Sequence, residues 1–341
     1  MKRATILIVF LFCFTARSDE GKALNFQEVF QLIRTNISDL SESELSHSAA
    51  MGLIKEMGTR VQIVTTNGEA ATLPPDAISK RAVFEDRFGY IRVKSVDERL
   101  PSEFQKSLRQ LIDSNELRGI VVDLRYAGGT NYQAAAKVAD SFIKGGQKLL
   151  KLGASEIEST EENETVRLPA VALVNGETRA GAEAIAAILR ESAGSLVIGK
   201  KTAGEARLFE LFTLSSGQKV RVGKVPIQVA SGEAIPASGL EPDITVPVRA
   251  EDEKVFYLDP YRERSPFFAG TNTNEVASAT TPIRARPLNE AELVRQHRNG
   301  FDFSEEEPPS QPKTPVITDP TLSRALDILK GIAILQPRRS P

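Results

Sequence analysis

The run Gly119–Leu124 (GIVVDL) constrains the fold most, because it is short, continuous and rich in β-branched residues. A strand that is buried on both faces has this pattern. Two more apolar runs, Val171–Val174 and Leu196–Ile198, each follow a pattern typical of a helix, at Ala134–Phe142 and Glu177–Arg190. Strands that alternate with helices predict an α/β core with a layered sheet.

Further elements are predicted on both sides of these runs. Helical spacing of apolar residues from Asn25 to Glu56 indicates an N-terminal helical hairpin, and Ser41 with Glu44 forms a capping-box pattern for its second helix. The remaining predictions are a strand in GYIRVKSV (89–96), a helix at 104–111, a strand at 208–214, and two paired strands at 218–222 and 226–229.

The C-terminal third changes character. Residues 270–318 are rich in proline and acidic residues, which predicts a linker, with a short helix at 288–297. Asp319 and Pro320 then open an amphipathic helix at 319–336, with the aspartate at the cap. The expected organisation is a signal peptide at 1–18, a helical region at 19–60, the core at 85–250, the linker and this helix.

The first residues predict export. Lys2 and Arg3 precede the apolar run ILIVFLFCF, and Ala16 and Ser18 are small residues at the positions that a signal peptidase requires. We expect cleavage after Ser18 and a secreted or periplasmic protein without a stable membrane span, although a buried N-terminal helix is the alternative. The only cysteine, Cys13, lies within this segment, so the mature chain would contain no thiol.

Composition excludes several classes of site. The formal net charge of −2 does not suggest a nucleic acid or an anionic membrane as partner. His47 and His297 are the only histidines, and both lie in polar helical patterns, so neither a zinc cluster nor a Ser-His-Asp triad is expected. No cofactor or metal is implied.

Four segments in order resemble the tail-specific, or C-terminal processing, serine proteases. They are GYIRVKSV, GIVVDLRYAGGT, LVNGETRAGAEAIAAIL, and VIGKKTAGEA with a later GLEPD. The resemblance covers roughly residues 88–248, and it implies a core like that of ClpP and crotonase, built from strand-strand-helix units. Active relatives commonly carry a PDZ domain before the core, but only residues 61–88 are available here, so we expect none.

The resemblance also implies a Ser-Lys dyad, in which a lysine of lowered pKa activates a serine. In this chain the serine position of the run S-A-S-A-S-E is Ala180, within Thr178–Glu183, and the lysine position of T-F-G-K, twenty-five residues later, is Glu205. Thr178 is the nearest hydroxyl that could substitute for the serine. The resemblance therefore predicts that both catalytic groups are missing.

Binding groups could remain. Gly128 and Gly129 resemble the turn whose N–H lines the oxyanion hole, or they form a plain tight turn. The N–H groups of Ala180 and Gly181 open a helix and could hold a carbonyl or carboxylate oxygen. Glu205 would repel a peptide carboxylate at the site, or it is simply a surface carboxylate.

The resulting hypothesis is a non-catalytic relative of these proteases that binds unfolded or C-terminal peptide segments or acts in assembly. One alternative is an active serine-type endopeptidase with a non-standard nucleophile. Another is a structural subunit that oligomerises with an active paralogue through the C-terminal helix, which exposed apolar residues on Leu322–Leu335 would favour.

Overall fold

The computed structural model describes residues 24–64, 76–160, 165–262 and 316–335. The predicted signal peptide, most of the predicted linker and its short helix at 288–297, together with Cys13 and His297, lie outside the described residues. The helices are α1 (Phe26–Asn36), α2 (Glu42–Met57), α3 (Leu100–Ser114), α4 (Tyr132–Asp140), α5 (Gly181–Ser192), α6 (Ala250–Leu258) and α7 (Pro320–Leu335), with a 3-10 turn at Gly58–Arg60. None of the described helices is long and apolar enough to cross a bilayer.

A six-stranded sheet forms the centre of the molecule. Its order is β11 (Ile244–Thr245), β8 (Leu196–Gly199), β7 (Ala170–Val174), β4 (Gly119–Asp123), β3 (Phe88–Val93) and β2 (Ile78–Phe84). All neighbours are parallel except β2 and β3. Every residue of β4 and β7 is buried. This confirms the predicted α/β class and the buried strands at 119–124 and 171–174.

Helices cover both faces of this sheet, which explains why its central strands lack the alternation of a half-exposed strand. Ile120 and Val122 of β4 belong to the same apolar cluster as the buried residues of α3, α4 and α5. Val121 belongs instead to a second cluster with α7. Sequence-adjacent residues thus pack against opposite layers, as the period of a strand requires.

The C-terminal helix docks on the sheet as the amphipathic pattern predicted. Leu322, Leu326 and Leu329 of α7 are buried against β4, β7 and β8, and each contributes roughly 1.5–3 kcal/mol through its removal from water. Asp319 Oδ1 accepts the N–H groups of Thr321 and Leu322, which confirms the predicted cap. The three leucines are therefore unavailable to a paralogue, whereas Ile334 and Leu335 at the end of α7 are each 82% exposed.

The described residues on either side of 263–315 are hydrogen-bonded to each other at the start of α7. Thr318 N donates to Pro260 O at 2.7 Å, and the Thr318 hydroxyl donates to Arg262 O at 2.8 Å. Because Thr318 contacts the residues on the far side of the stretch, the chain leaves and re-enters the domain at the same place.

A second sheet holds β1 (Val61–Val64), β10 (Lys219–Val229), β5 (Lys148–Leu152) and β6 (Ser155–Glu158) in that order, and β9 (Arg207–Thr213) also pairs with β10. The prediction of two paired strands at 218–222 and 226–229 is wrong, because both lie in the single strand β10. Gly223 and Pro226 indicated a turn, but the chain continues through a bulge between Gly223 and Val225 in its pairing with β9. Strands β1, β2, β5, β6 and β11 and helix α6 were not predicted.

The N-terminal helices α1 and α2 occupy the predicted hairpin. The Ser41–Glu44 capping box is present, with Glu44 N donating to Ser41 Oγ and Ser41 N donating to Glu44 Oε2. Only Leu45 is buried within these two helices. The hairpin leads through the 3-10 turn into β1, which carries the chain to the second sheet.

Candidate functional site

The site is built around a strained turn at the carboxyl end of β7. The helix predicted to begin at Glu177 begins instead at Gly181, because residues 175–180 form this turn. Asn175 N donates to the Thr178 hydroxyl at 2.9 Å, which closes the turn. Ala180, the last residue before α5, has φ 46°. A non-glycine residue in this region costs of order 1–3 kcal/mol and persists only where the surrounding structure fixes it.

The buried carboxylate of Glu183 fixes the turn. Its Oε2 accepts the N–H of Ala180 at 2.8 Å and that of Glu205 at 2.7 Å. Its Oε1 accepts the N–H of Gly204 at 2.7 Å and the hydroxyl of Thr202. Burial raises the pKa of Glu183, while these four donors oppose the rise by stabilising the carboxylate. Positions 180 and 205 are therefore neighbours, held by a shared acceptor.

Neither Ala180 nor Thr178 presents a free hydroxyl at this junction. Ala180 presents only a methyl group, and it is buried. Thr178, the predicted substitute, is also buried, and its hydroxyl donates to Leu124 O at 2.9 Å while it accepts from Asn175 N. The hydroxyl proton of Thr178 is therefore committed to a backbone carbonyl.

The four predicted binding residues meet at one place, but their N–H groups are partly occupied. Gly181 N donates to Gly129 O at 2.7 Å, and Ala180 N donates to Glu183. Gly128 O in turn accepts from Val96 N at 2.7 Å. A substrate oxygen would have to displace these internal bonds before it could use the N–H groups of Ala180 and Gly181.

Close backbone packing explains the glycines at 129 and 181. Gly129 has φ 126°, and a Cβ there would lie 2.4 Å from Val96 O. A Cβ at Gly181 would lie 2.7 Å from Gly129 O. At Gly128, by contrast, the nearest atom would be Arg179 Cβ at 3.8 Å, which is an ordinary contact. The sequence motifs identified all three glycines, but they did not indicate that backbone packing requires a glycine at 129 and 181 and not at 128.

Glu205 is not a surface carboxylate. The residue is 8% exposed, and its carboxylate lies 3.5 Å from Arg221 Nη2 and 3.8 Å from Arg179 Nη1. Gln62 Nε2 donates to Glu205 Oε1 at 3.4 Å, and Arg221 Nε donates to Gln62 Oε1 at 2.7 Å. Two guanidinium groups therefore compensate the charge that was expected to repel a peptide carboxylate. Sequence reasoning missed Gln62 and Arg221, which lie far from Glu205 in the chain.

The N-terminal part of the second sheet covers this position. The Thr59 hydroxyl donates to Gly204 O at 2.9 Å, and Gln62 of β1 lies beside Arg221 of β10 in the strand register. The 3-10 turn and β1 therefore pack directly against the residue at the predicted lysine position.

A second buried cluster lies next to the turn, where β4 ends. Arg125 Nη2 donates to Asp123 Oδ2 at 2.7 Å and to Asp319 Oδ2 at 2.8 Å. Tyr90 donates its hydroxyl to Asp123 Oδ2 at 2.6 Å. Burial alone would raise the pKa of Asp123, but Arg125 and the other donors hold it below its usual range. This cluster joins the sheet to α7. Both carboxylate oxygens of Asp123 accept internal hydrogen bonds, while Arg125 Nη1 is buried without a hydrogen-bond partner among the described residues.

Two clefts among the described residues lie away from this junction. One of about 490 Å³ is formed by α3 and residues 165–168, and another of about 320 Å³ lies where residues 166–171 face 193–196. Neither is lined by Ala180 or Glu205. We base the site on the hydrogen-bonded junction rather than on these clefts, because the junction brings together the residues that the sequence motifs singled out.

Comparison with known proteins supports the resemblance. Residues 87–246 match the model of peptidase family S41. The chain is 24% identical over 254 residues to the carboxy-terminal processing protease CtpA of Bacillus subtilis, covering 71% of this chain and 54% of that protein. It is 28% identical over 183 residues to the chloroplastic C-terminal processing peptidase of Tetradesmus obliquus, covering 52% of this chain and 38% of that protein.

The chain thus spans between about a third and about half of the length of these curated relatives. Among solved structures, a candidate peptidase from Parabacteroides merdae superposes with a TM-score of 0.53 at 15% identity, covering 72% of this chain and 87% of the other. At that identity the likeness shows the shared fold alone.

Proposed function

The region 87–246 of this chain belongs to peptidase family S41, and we propose that the chain is a non-catalytic member that binds protein segments without cutting them. One observation carries the proposal: at the junction where positions 180 and 205 meet, the chain supplies a methyl group and a carboxylate. The resemblance implies a serine hydroxyl and a lysine amine at these two positions. Without them the junction has neither a nucleophile nor its base.

The expected loss of activity is large. Removing the serine nucleophile of a serine protease costs about a million-fold in turnover, and only binding and oxyanion effects remain. Here two of the N–H groups that could supply an oxyanion effect, those of Ala180 and Gly181, donate to Glu183 and Gly129. The alternative of an active endopeptidase with Thr178 as nucleophile has no support, because the Thr178 hydroxyl is buried and bonded to Leu124 O.

A binding role is supported by what the fold retains. The core of the relatives is present, and their printed names describe processing of carboxyl termini. We therefore propose unfolded or C-terminal segments of other proteins as ligands. The alternative of a subunit for an active paralogue keeps only part of its expected support, since Leu322, Leu326 and Leu329 are buried within the chain while Ile334 and Leu335 are exposed.

The test is degradation of an unfolded casein by the purified chain and by a restored variant. The structure shows that Glu205→Lys alone would place a third cation beside Arg179 and Arg221, so the restored variant is Arg179→Ala, Ala180→Ser, Glu205→Lys. The matched control is Arg179→Ala, Glu205→Lys, which keeps the same charges but has no nucleophile.

We expect no cleavage by the natural chain or by the control. Cleavage by the restored variant alone would support the proposal and its register. Turnover by the natural chain that survives Thr178→Val would show another nucleophile, and it would overturn the non-catalytic assignment. Binding is measured separately, by fluorescence anisotropy with labelled casein, and absence of binding would overturn that part.

We also propose that the chain is exported. Lys2, Arg3 and the following apolar run support a signal peptide, with the mature chain beginning at Asp19. N-terminal sequencing of protein from a secreting host tests this, and a mature chain that still begins at Met1 would contradict it.

A further inference from the structure

One face of the second sheet carries an excess of arginine beside the junction. Arg221 of β10 lies opposite Gln62 of β1 and opposite Leu211 of β9 in the strand register. Side chains alternate along a strand, so Arg207 lies on the same face of β9 as Leu211. We call the set Arg60, Arg179, Arg207 and Arg221 the arginine face.

The position of Arg207 on this face is fixed by its packing. A Cβ at Gly223 would lie 2.9 Å from Arg207 Cδ, so the side chain of Arg207 crosses β10 over that glycine. Its Nε donates to Gly223 O at 3.3 Å. The 3-10 turn Gly58–Arg60 contacts β10, which places Arg60 beside this face. Burial lowers the pKa of Arg207, and the charge of Arg60 lowers it further.

The charges on this face do not balance. Two carboxylates are paired with it: Glu205 lies beside Arg179 and Arg221, and Glu177 pairs with Arg179. Among the described residues, Arg60 and Arg207 have no ion pair. Like charges held together without a counter-ion raise the free energy of the folded state, and an acidic ligand would relieve that repulsion.

The neighbouring strand edge suits an extended chain. Among the described strands, β9 pairs with β10 alone, so its other edge has no partner. Leu211 and Phe212 of β9 are 54% and 40% exposed, and the guanidinium of Arg221 stacks over the ring of Phe209 with its Cζ 4.6 Å from the ring centroid. An unpaired edge supplies main-chain hydrogen bonds to an added strand, while side chains on its face select the sequence.

We propose that the arginine face and the free edge of β9 bind an extended acidic segment of a partner protein. This inference rests on the proposed binding function, and it names the class of ligand. The strand edge favours a peptide over a single-stranded nucleic acid, because nucleic acids do not use the main-chain pattern of a strand. Exposed Phe212, on the face of β9 opposite to Arg207, further predicts that apolar residues alternate with the acidic ones.

The experiment is fluorescence anisotropy with the full chain and a labelled peptide of about twelve residues in which glutamate alternates with valine, a length that spans a strand of this sheet. The matched probe replaces each glutamate by glutamine. The first variant is Arg60→Glu, which alters an exposed side chain, and the second is Arg207→Gln. Arg109→Glu on α3 is the control, because it reverses an exposed charge away from this face. Thermal unfolding confirms that each variant is folded.

We expect the glutamate peptide to bind about tenfold more tightly than the glutamine peptide, with the difference shrinking as salt is added. Arg60→Glu and Arg207→Gln should each remove most of this preference, while Arg109→Glu should leave it unchanged. Equal binding of the two peptides, together with binding of casein, would overturn the acidic preference but not the proposed binding function. Tighter binding of an oligothymidylate than of the glutamate peptide would also overturn it, and no binding of any probe would overturn both.

Discussion

Replacement of Asp319 by alanine is expected to destabilise the fold by about 4 kcal/mol. The side chain is 1% exposed and has two functions, since Oδ2 accepts from Arg125 while Oδ1 caps α7. Loss of one partner from a buried ion pair costs about 3–5 kcal/mol, and the lower end applies because Arg125 keeps Asp123. Loss of the cap adds about 1 kcal/mol.

Two further variants separate these contributions. Asp319→Asn keeps an oxygen for the cap but loses the charge, so it should cost about 3 kcal/mol. Asp327→Ala, on the exposed side of the same helix and paired with Lys330, should cost no more than about 0.5 kcal/mol. The free energy of unfolding is measured by urea titration with circular dichroism. If Asp319→Ala were no more destabilising than Asp327→Ala, the assignment of Arg125 and Asp319 as the link between sheet and helix would be refuted.

Three other predictions concern the site. Gly129→Ala should destabilise the fold by about 2–4 kcal/mol in the same titration, because its positive φ and contact with Val96 O exclude a Cβ, while Gly128→Ala should be nearly neutral; equal effects would contradict the packing argument. Thr178→Val should cost about 2 kcal/mol because Asn175 N loses its acceptor and Leu124 O keeps only its bond from Ala127 N, whereas Thr178→Ser should retain both bonds. Burial and Glu253 raise the pKa of Tyr126 to about 12, so between pH 10 and pH 12 the folded chain holds a proton that the unfolded chain has lost, and stability should fall as the pH rises; a Tyr126→Phe variant should show a weaker fall in this window and remove one phenol from the absorbance titration.

Sequence patterns correctly predicted the elements that are determined mainly by residues close together in the chain. The run at 119–124 indicated a doubly buried strand, and Asp319-Pro320 indicated a helix start, because each depends on neighbouring residues. The start of α5 was predicted too early, since the positive φ of Ala180 is imposed by Glu183 and the 202–205 loop. The sequence predicted two strands where the structure has the single strand β10, because the bulge near Gly223 arises only when β10 pairs with β9.

The sequence predicted which residues lie together at this junction but not their charged partners. The family resemblance singled out positions 180 and 205, and the structure makes them neighbours through Glu183. The partners Gln62 and Arg221 come from other strands, so no spacing near Glu205 could indicate them. Arg179 is adjacent to Ala180 in sequence, but its pairing with Glu205 depends on the folded turn and could not be predicted from that adjacency.

The bonds of Thr318 to Pro260 and Arg262 have a consequence for insertions. Neither bond involves a residue between 263 and 315, so the two points at which the chain leaves and rejoins the described domain are held together independently of that sequence. An epitope or a fluorescent domain inserted between 263 and 315 should therefore leave the contacts of α7 with the sheet, and the free energy of unfolding that they contribute, unchanged.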